Sequence, residues 1–386
     1  MNIAIFGGSF NPVHKEHVNI IKSAMHELSL DKAIIMPSNI TPSKNGRMAA
    51  ESTDRLNMCS LAFSDINGVE VSDYEITNGG ISYSYITCRE LRKKYQKDNL
   101  YFIVGADMFR SFPKWKNPEE ILSYVNLAVC ARENSESLEK AEKNFVESFG
   151  GDSLNKVKKF SYIGAKVSST RIRTLAALGE SIEAYVDEKT ANYIRAHKLY
   201  RIPELENCLD TVKENITPSR WKHTVGVAVT AAENCPRLGI AEKTAITAAA
   251  LHDCAKHLKP DDAMLAGFEC PENVPSPVVH QFAGAFVAEN IFKITDADIL
   301  NAIKYHTSGR ADMSGLEKLI YLSDMLEEGR SFPHVDELRK EFAKSIDGGL
   351  YSALKHTIEY LKKEKMPVYP LTEQAYEYVT NKKENL

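Results

Sequence analysis

Apolar positions follow two different rhythms along this chain. In the first half, short apolar runs alternate with longer amphipathic stretches. NIAIF (2–6), KAIIMP (32–37), LYFIVG (100–105) and NLAVCA (126–131) predict strands, and VEVSDYEI (69–76) reads as another. Between them, helices are predicted over 15–29, near 52–64 and over 82–95. Strands alternating with helices imply an α/β domain with a parallel sheet covered on both faces. In such sheets ligands lie beyond the carboxyl ends of the strands, so chemistry is expected in the turns after residues 6, 37, 105 and 131.

After about residue 200 the rhythm becomes purely helical. ELENCLDTVKENI, AEKTAITAAALHDCAKHL, HQFAGAFVAENIFK, DADILNAIKYH and GLEKLIYLSDMLEE all carry a helical period, which predicts an all-α second domain. The switch falls in HKLYRIPELE (197–206), so domains are expected over 1–200 and 206–386. A chain of 386 residues is also too long for one ordinary core. The formal net charge of −4 leaves no basic excess for a nucleic-acid backbone, so no nucleic-acid partner is expected. Seven cysteines without a C-x-x-C pair suggest reduced thiols and a cytoplasmic location. MNIAIFGG reads as a buried strand rather than a signal peptide, and no apolar run is long enough to span a membrane. No pattern bears on assembly state.

Candidate chemistry appears first in FGGSFNPVHKEH (6–17). Two glycines after a strand let backbone N–H groups approach a ligand closely. A helix starting near His14 would favour an anion at its N-terminus, and a spacing of three puts His14 and His17 on one side of it. A second cradle is expected at KVSSTRIR (166–173), where Ser168, Ser169 and Thr170 would cap a helix and Arg173 would sit one turn in.

These stretches resemble the nucleotidyltransferase superfamily that carries G-G-[ST]-F-[DN]-P-x-H-x-G-H and I-S-S-T-x-I-R. IVGADMFRSFPKW (103–115) and GISYSYIT (80–87) resemble, within it, nicotinate mononucleotide adenylyltransferase, over about residues 1–200. The resemblance implies a Rossmann-like fold and transfer of an adenylyl group from ATP, accompanied by Mg²⁺, to nicotinate mononucleotide. It places Gly7, Gly8, Ser9, Phe10, Gly105, Ser169 and Thr170 against the nucleotides and gives His14, His17 and Arg173 to the phosphates. It further implies that Trp115 stacks on the pyridine ring and that Ser84 meets the nicotinate carboxylate. Asp107 would hold a ribose or adenylyl group, and Lys44 and Arg132 would meet phosphates. The sequence departs from the pattern at Glu16, where the family has Gly, at Ser84 for Thr, at Ile86 for Asp and at Ser43 for His. Glu16 is expected to point away from both histidines. Another acceptor, such as phosphopantetheine, is the alternative, and Trp115 argues against it.

In the second half His223, the adjacent His252 and Asp253, His280, His306 and Asp324 all fall on or at the ends of predicted helices. Imidazole and carboxylate together suit iron, manganese or zinc better than calcium. The order H…HD…H…H…D resembles the HD phosphohydrolase superfamily. HDCAKH and YHTSGR are similar to the bacterial HD family that cleaves diadenosine tetraphosphate symmetrically. That resemblance implies two metal ions, iron before manganese or zinc, and hydrolysis to two ADP. One ion would lie on His223, His252, Asp253 and Asp324, and the other on Asp253, His280 and His306, with Asp253 bridging. Lys256 would neutralise a phosphate or orient water, and Thr307, Ser308 and Arg310 would meet phosphates. Gln281 and Phe282 stand where the family often has Ala-Pro. The expectation is a bifunctional enzyme with small-molecule nucleotides as its partners. The alternatives for the HD domain are another nucleotide substrate (a nucleoside triphosphate, a cyclic dinucleotide or an alarmone) or a nucleotide-sensing role.

Overall fold

The computed structural model describes residues 1–40, 46–131, 135–165 and 167–384. The chain divides into two compact units. The first comprises 1–44, 49–172 and 181–199, and the second 45–48, 173–180 and 200–386.

The first unit is built on six parallel strands: β1 (Asn2–Gly8), β2 (Lys32–Pro37), β3 (Val69–Val71), β4 (Asn99–Gly105), β5 (Asn126–Ala131) and β6 (Val157–Ser161). Their order is β3-β2-β1-β4-β5-β6, so the winding reverses between β1 and β4. In register, Ile5 stands beside both Ile34 and Phe102. Alternate residues Ile3, Ile5, Ile34, Met36, Phe102, Val104, Leu127 and Val129 form one core with Leu91, Phe109, Phe112, Ile121 and Phe145 from the helices. The intervening Ala4, Ala33, Ile35, Ile103 and Ala128 are buried as well. Burial on both faces is why these strands read as unbroken apolar runs.

Two expectations need correction. Only Val69–Val71 of the run 69–76 is a strand; Tyr74–Asn78 is a short helix, started at Asp73 by backbone bonds from Ile76 and Thr77 to its carbonyl. The strand β6 was not anticipated, because VKKFS carries two lysines and exposes three of its five residues. That composition belongs to an edge strand, where charge discourages further pairing.

The second unit is helical, and no residue described after β6 lies in a strand. The helices Pro218–Asn234, Glu242–Leu251, Ser276–Asn290, Ala297–Lys304 and Gly315–Leu326 share one core. Val227, Ala231, Ala248, Ala249, Leu251, Val287, Ile303, Leu319 and Ile320 meet there. Alanines dominate the Glu242–Leu251 helix, and every residue from Ala245 to Leu251 is buried. Small side chains let neighbouring helices close around it. Among the described residues no helix is long and apolar enough to cross a membrane.

Candidate functional sites

In the first unit the expected site residues collect where the winding reverses. β1 ends in Gly7 and Gly8, and β4 ends in Gly105. A Cβ on Gly8 would stand 3.2 Å from the ring of Phe10, so glycine allows that ring to fold back. Phe10 itself is buried with a left-handed backbone (φ 44°), and it packs edge-on to His17 with ring centroids 5.1 Å apart. His14 is the N-cap of the Lys15–Glu27 helix, and its backbone N–H donates to His17 Nδ1 at 3.2 Å. The two imidazoles stack with centroids 3.6 Å apart. Burial pushes His14 down to about 4, so this ring is neutral near pH 7 and serves as a hydrogen-bonding group rather than a cation. Its Nδ1 is buried without a hydrogen-bond partner among the described residues. Buried polar atoms in folded proteins are ordinarily paired, which makes this nitrogen a candidate contact for a ligand or water.

The second cradle adjoins the first. Ser168 Oγ accepts from Arg171 N at 3.0 Å, and Ser169, which opens the Ser169–Ala177 helix with Thr170 next, donates to the Pro12 carbonyl at 3.0 Å. Arg55, which the sequence reading missed, ties the region together. Its buried guanidinium donates to the carbonyls of Ser9 (2.8 Å), Asn39 (2.9 Å) and Ala50 (3.3 Å). Ser9 and Asn39 follow β1 and β2, so one cation sets the spacing of the turns beyond two neighbouring strands. Trp115 is half-buried, with its ring 5.2 Å from that of Phe112 and edge-on to Phe102 at 6.1 Å. Lys116 lies 4.2 Å over the ring of Tyr83, which brings Tyr83 and Ser84 near the Trp115 segment. Asp107 is exposed, directly after Ala106 at the end of β4. Lys44 and Arg132 lie outside the described residues.

Two side chains in this region have partners that the sequence did not name. Glu16 is buried and accepts from the Tyr162 hydroxyl at 2.7 Å, while Gly164 leaves space for its carboxylate. Arg173 groups with the second unit, and its guanidinium covers both carboxylate oxygens of Glu242 at 2.8–3.2 Å. Both side chains are 2% exposed. A cation so deeply buried is held by a carboxylate, and here Glu242 supplies it.

In the second unit, five imidazole or carboxylate groups converge. His223 lies within Pro218–Asn234, His252 and Asp253 directly follow Glu242–Leu251, His280 lies within Ser276–Asn290, and Asp324 lies within Gly315–Leu326. His306, two residues past Ala297–Lys304, joins them as the sixth ligand candidate. Ligand atoms of His223, His252 and Asp324 fall within 4.8 Å of one another, as do those of His252, Asp253 and His306. Asp253 faces both groups, with Oδ2 3.3 Å from His252 Nε2 and Oδ1 3.2 Å from His280 Nε2 and 3.6 Å from His306 Nε2. His252 Nε2 and Asp253 Oδ1 are buried with no hydrogen bond of proper geometry among the described residues. Imidazole nitrogens and carboxylates converging on shared space fit cations, and two of their buried atoms, His252 Nε2 and Asp253 Oδ1, lack a partner among the described residues.

The electrostatics agree. Burial opposes charge on Asp253, but the close imidazoles of His252, His280 and His306 hold its carboxyl well below the usual range. Burial likewise opposes charge on Asp324, and its hydrogen bond with His223 and the nearby His252, His306 and Arg330 keep its carboxyl low. Burial pushes His280 down to about 4, leaving its lone pair available. Three cations edge the cluster: Arg220 on Asp253 Oδ2 (3.0 Å), Lys256 on His280 Nε2 (3.1 Å) and Arg330 on Asp324 Oδ1 (2.6 Å). Of these the sequence pointed only to Lys256. Thr307 Oγ1 also lies 3.1 Å from His280 Nε2. Ser308 and Arg310 have other work. Ser308 is buried, accepting from Gln281 Nε2 and donating to the Gly309 carbonyl, both at 2.9 Å. Arg310 pairs with the buried Glu317 at 2.7 Å. A one-turn motif cannot disclose partners that arrive from other helices.

Comparison with known proteins matches both units. A cytidylyltransferase-like family model matches residues 5–175, and an HD domain model matches residues 220–329. The chain is 28% identical over 331 residues to the probable nicotinate-nucleotide adenylyltransferase/Ap4A hydrolase of Mycoplasma genitalium, covering 85% of this chain and 88% of that protein. It is 36% identical over 201 residues to the probable nicotinate-nucleotide adenylyltransferase of Clostridium tetani, covering 51% of this chain and 98% of that one. It is 38% identical over 183 residues to the symmetrical bis(5'-nucleosyl)-tetraphosphatase of Bacillus subtilis, covering 46% of this chain and 97% of that one.

Proposed function

We propose, for a chain that belongs to the nicotinate-nucleotide adenylyltransferase family at one end and to the HD hydrolase superfamily at the other, a specific pair of reactions. Residues 1–200 transfer an adenylyl group from ATP to nicotinate mononucleotide, and residues 206–386 hydrolyse diadenosine tetraphosphate to two ADP. The names of the relatives in Mycoplasma genitalium, Clostridium tetani and Bacillus subtilis support these substrates.

For the transfer, the supporting observation is the stacked His14–His17 pair at the strand reversal, with an unsatisfied buried nitrogen. The mononucleotide phosphate attacks the α-phosphorus of ATP and pyrophosphate leaves, with Mg²⁺ arriving on the ATP. Such a step depends on alignment and charge stabilisation. His14 and His17 hold the triphosphate by hydrogen bonds, the Ser169–Ala177 helix start receives a second phosphate, and Trp115 stacks on the pyridine ring. Gly7, Gly8 and Gly105 keep the backbone low beneath the nucleotides.

For the hydrolysis, the carrying observation is the pair of orphaned atoms, His252 Nε2 and Asp253 Oδ1, among five clustered ligand candidates that His280 joins through Asp253. His223, His252, Asp253 and Asp324 would hold one cation, and Asp253, His280 and His306 the other. Cations bound there would lower the pKa of a water to about 7 and neutralise phosphate oxygens. Lys256 and Thr307 orient the attacked phosphate, and Arg220 and Arg330 bind the flanking phosphates once cations take over the aspartates. Attack at a central phosphorus breaks the middle P–O bond, and each half leaves as ADP.

The test supplies the purified protein with ATP and nicotinate mononucleotide while pyrophosphate is followed, and separately with diadenosine tetraphosphate while products are separated. Pyrophosphate release and ADP as sole nucleotide product are expected. AMP plus ATP from the tetraphosphate, or no pyrophosphate, rejects the respective half.

A further inference from the structure

Glu327 takes no part in the ligand set, yet it is one of the most carefully enclosed carboxylates in the second unit. It caps the Gly315–Leu326 helix three residues beyond Asp324 and is 5% exposed. Its Oε1 lies 3.1 Å from His223 Nδ1, while His223 Nε2 faces Asp324 Oδ1 at 2.9 Å. Its Oε2 accepts from Gly329 N at 2.6 Å. Two glycines leave room for it. A Cβ on Gly226, one turn beyond His223, would collide with the carboxylate, and a Cβ on Gly329 would stand 3.1 Å from both its oxygens.

The other ligands are oriented differently. His252 Nδ1 faces the Ala249 carbonyl at 2.6 Å, and His306 Nδ1 faces the Ile303 carbonyl at 2.7 Å. Those partners are neutral. The ring of His280 has the Lys256 ammonium at 3.1 Å. Arg330 lies 2.6 Å from Asp324 Oδ1 and 3.3 Å from His223 Nε2, and Arg220 lies on the shared Asp253; both arginines are partly exposed. What sets His223 apart is the buried carboxylate behind its Nδ1, where His252 and His306 have carbonyls and His280 has an ammonium.

We propose that Glu327 is a positioning residue which, through His223, makes the cation position on His223, His252 and Asp324 the tighter of the two. A carboxylate accepting from Nδ1–H fixes the tautomer that turns the Nε2 lone pair inward, and it raises the basicity of that nitrogen. The inference rests on the two-cation reading above and deepens it: the positions fill in order, and the one nearest Lys256 fills last.

The test strips the full-length protein of metal and titrates it with Co²⁺, read by calorimetry and by visible absorption. The parent is expected to take up two ions in two phases. E327Q keeps the shape and the acceptor for Gly329. It should weaken the first phase by about 10–100-fold and leave the second phase and the unfolding midpoint of the metal-free protein unchanged. E327D keeps the charge at shorter reach and should recover part of the first phase. If E327Q is unfolded by circular dichroism, E327D against the parent carries the comparison, with a weaker first phase alone expected. An unmoved first phase, or equal weakening of both phases with a lowered midpoint, overturns the role of Glu327. A parent protein that binds no Co²⁺ instead overturns the two-cation reading beneath it.

Discussion

Replacing Glu242 by alanine leaves a guanidinium buried with nothing in place of its carboxylate. In the folded protein, Arg173 Nε and Nη2 make four contacts of 2.8–3.2 Å with the two oxygens of Glu242. Both side chains are 2% exposed, so solvent does little to screen the loss. Breaking a buried pair from one side costs about 3–5 kcal/mol. A unit of this size loses about 2–4 °C per kcal/mol, so the midpoint should fall by about 6–20 °C. Removing both charges in R173M/E242L replaces the pair with apolar volume. That exchange is often neutral, and the midpoint should return to within a few degrees of the parent. Scanning calorimetry of parent, single and double variants makes the measurement. An E242A midpoint within about 2 °C of the parent would refute the reasoning. Adenylyl transfer by the double variant is the second readout. A midpoint that recovers while transfer is lost would return Arg173 to the phosphates, where the sequence motif had put it.

Other outcomes follow from the same geometry. H252A/D253A should abolish tetraphosphate hydrolysis and leave adenylyl transfer intact, as measured by product chromatography and pyrophosphate release on one preparation; joint loss would show that the two activities are coupled. His14 is pushed from 6.5 down to about 4, so the unfolded chain takes a proton there that the folded chain refuses. Its contribution to stability is therefore present above pH 6.5 and lost as pH falls towards 4, by about 3 kcal/mol at 1.36 kcal/mol per pH unit. H14Q should flatten that part of the stability profile in urea titrations at successive pH values, and an unchanged slope would mean the ring is not held neutral. W115A should raise KM for nicotinate mononucleotide about fivefold, the lower end of what losing a base–aromatic stack costs, with KM for ATP little changed; a rise for ATP alone would reassign the ring.

The strands that carry the first site were legible because they are buried on both faces and so appear as plain apolar runs. β6 was not, because an edge strand of mostly exposed residues has no such run. The six ligand candidates of the second unit were legible from their residue types and order alone, and the helices do bring them together. What escaped is the layer around them. Glu327, Arg220 and Arg330 sit near ligands in sequence, but a charged residue near a helix end is ordinarily solvated, and only packing reveals that these face inward. The same limit shows at Arg173, Ser308 and Arg310, whose partners in the fold no motif marks. Each follows a recognisable motif, but Glu242, Gln281 and Glu317 arrive from elsewhere in the chain and take them up. Arg55 escaped because its partners are backbone carbonyls, which no sequence pattern marks.

The alanine-rich helix that precedes His252 has no face towards water from Ala245 to Leu251. The two ligands at its end are thus anchored by the contacts that hold the bundle itself. Loosening that helix would scatter the His–Asp cluster and melt the bundle in a single event, so sequence variation has its freedom at the rim of the cluster, from Lys256 outward, where side chains can change without disturbing the frame.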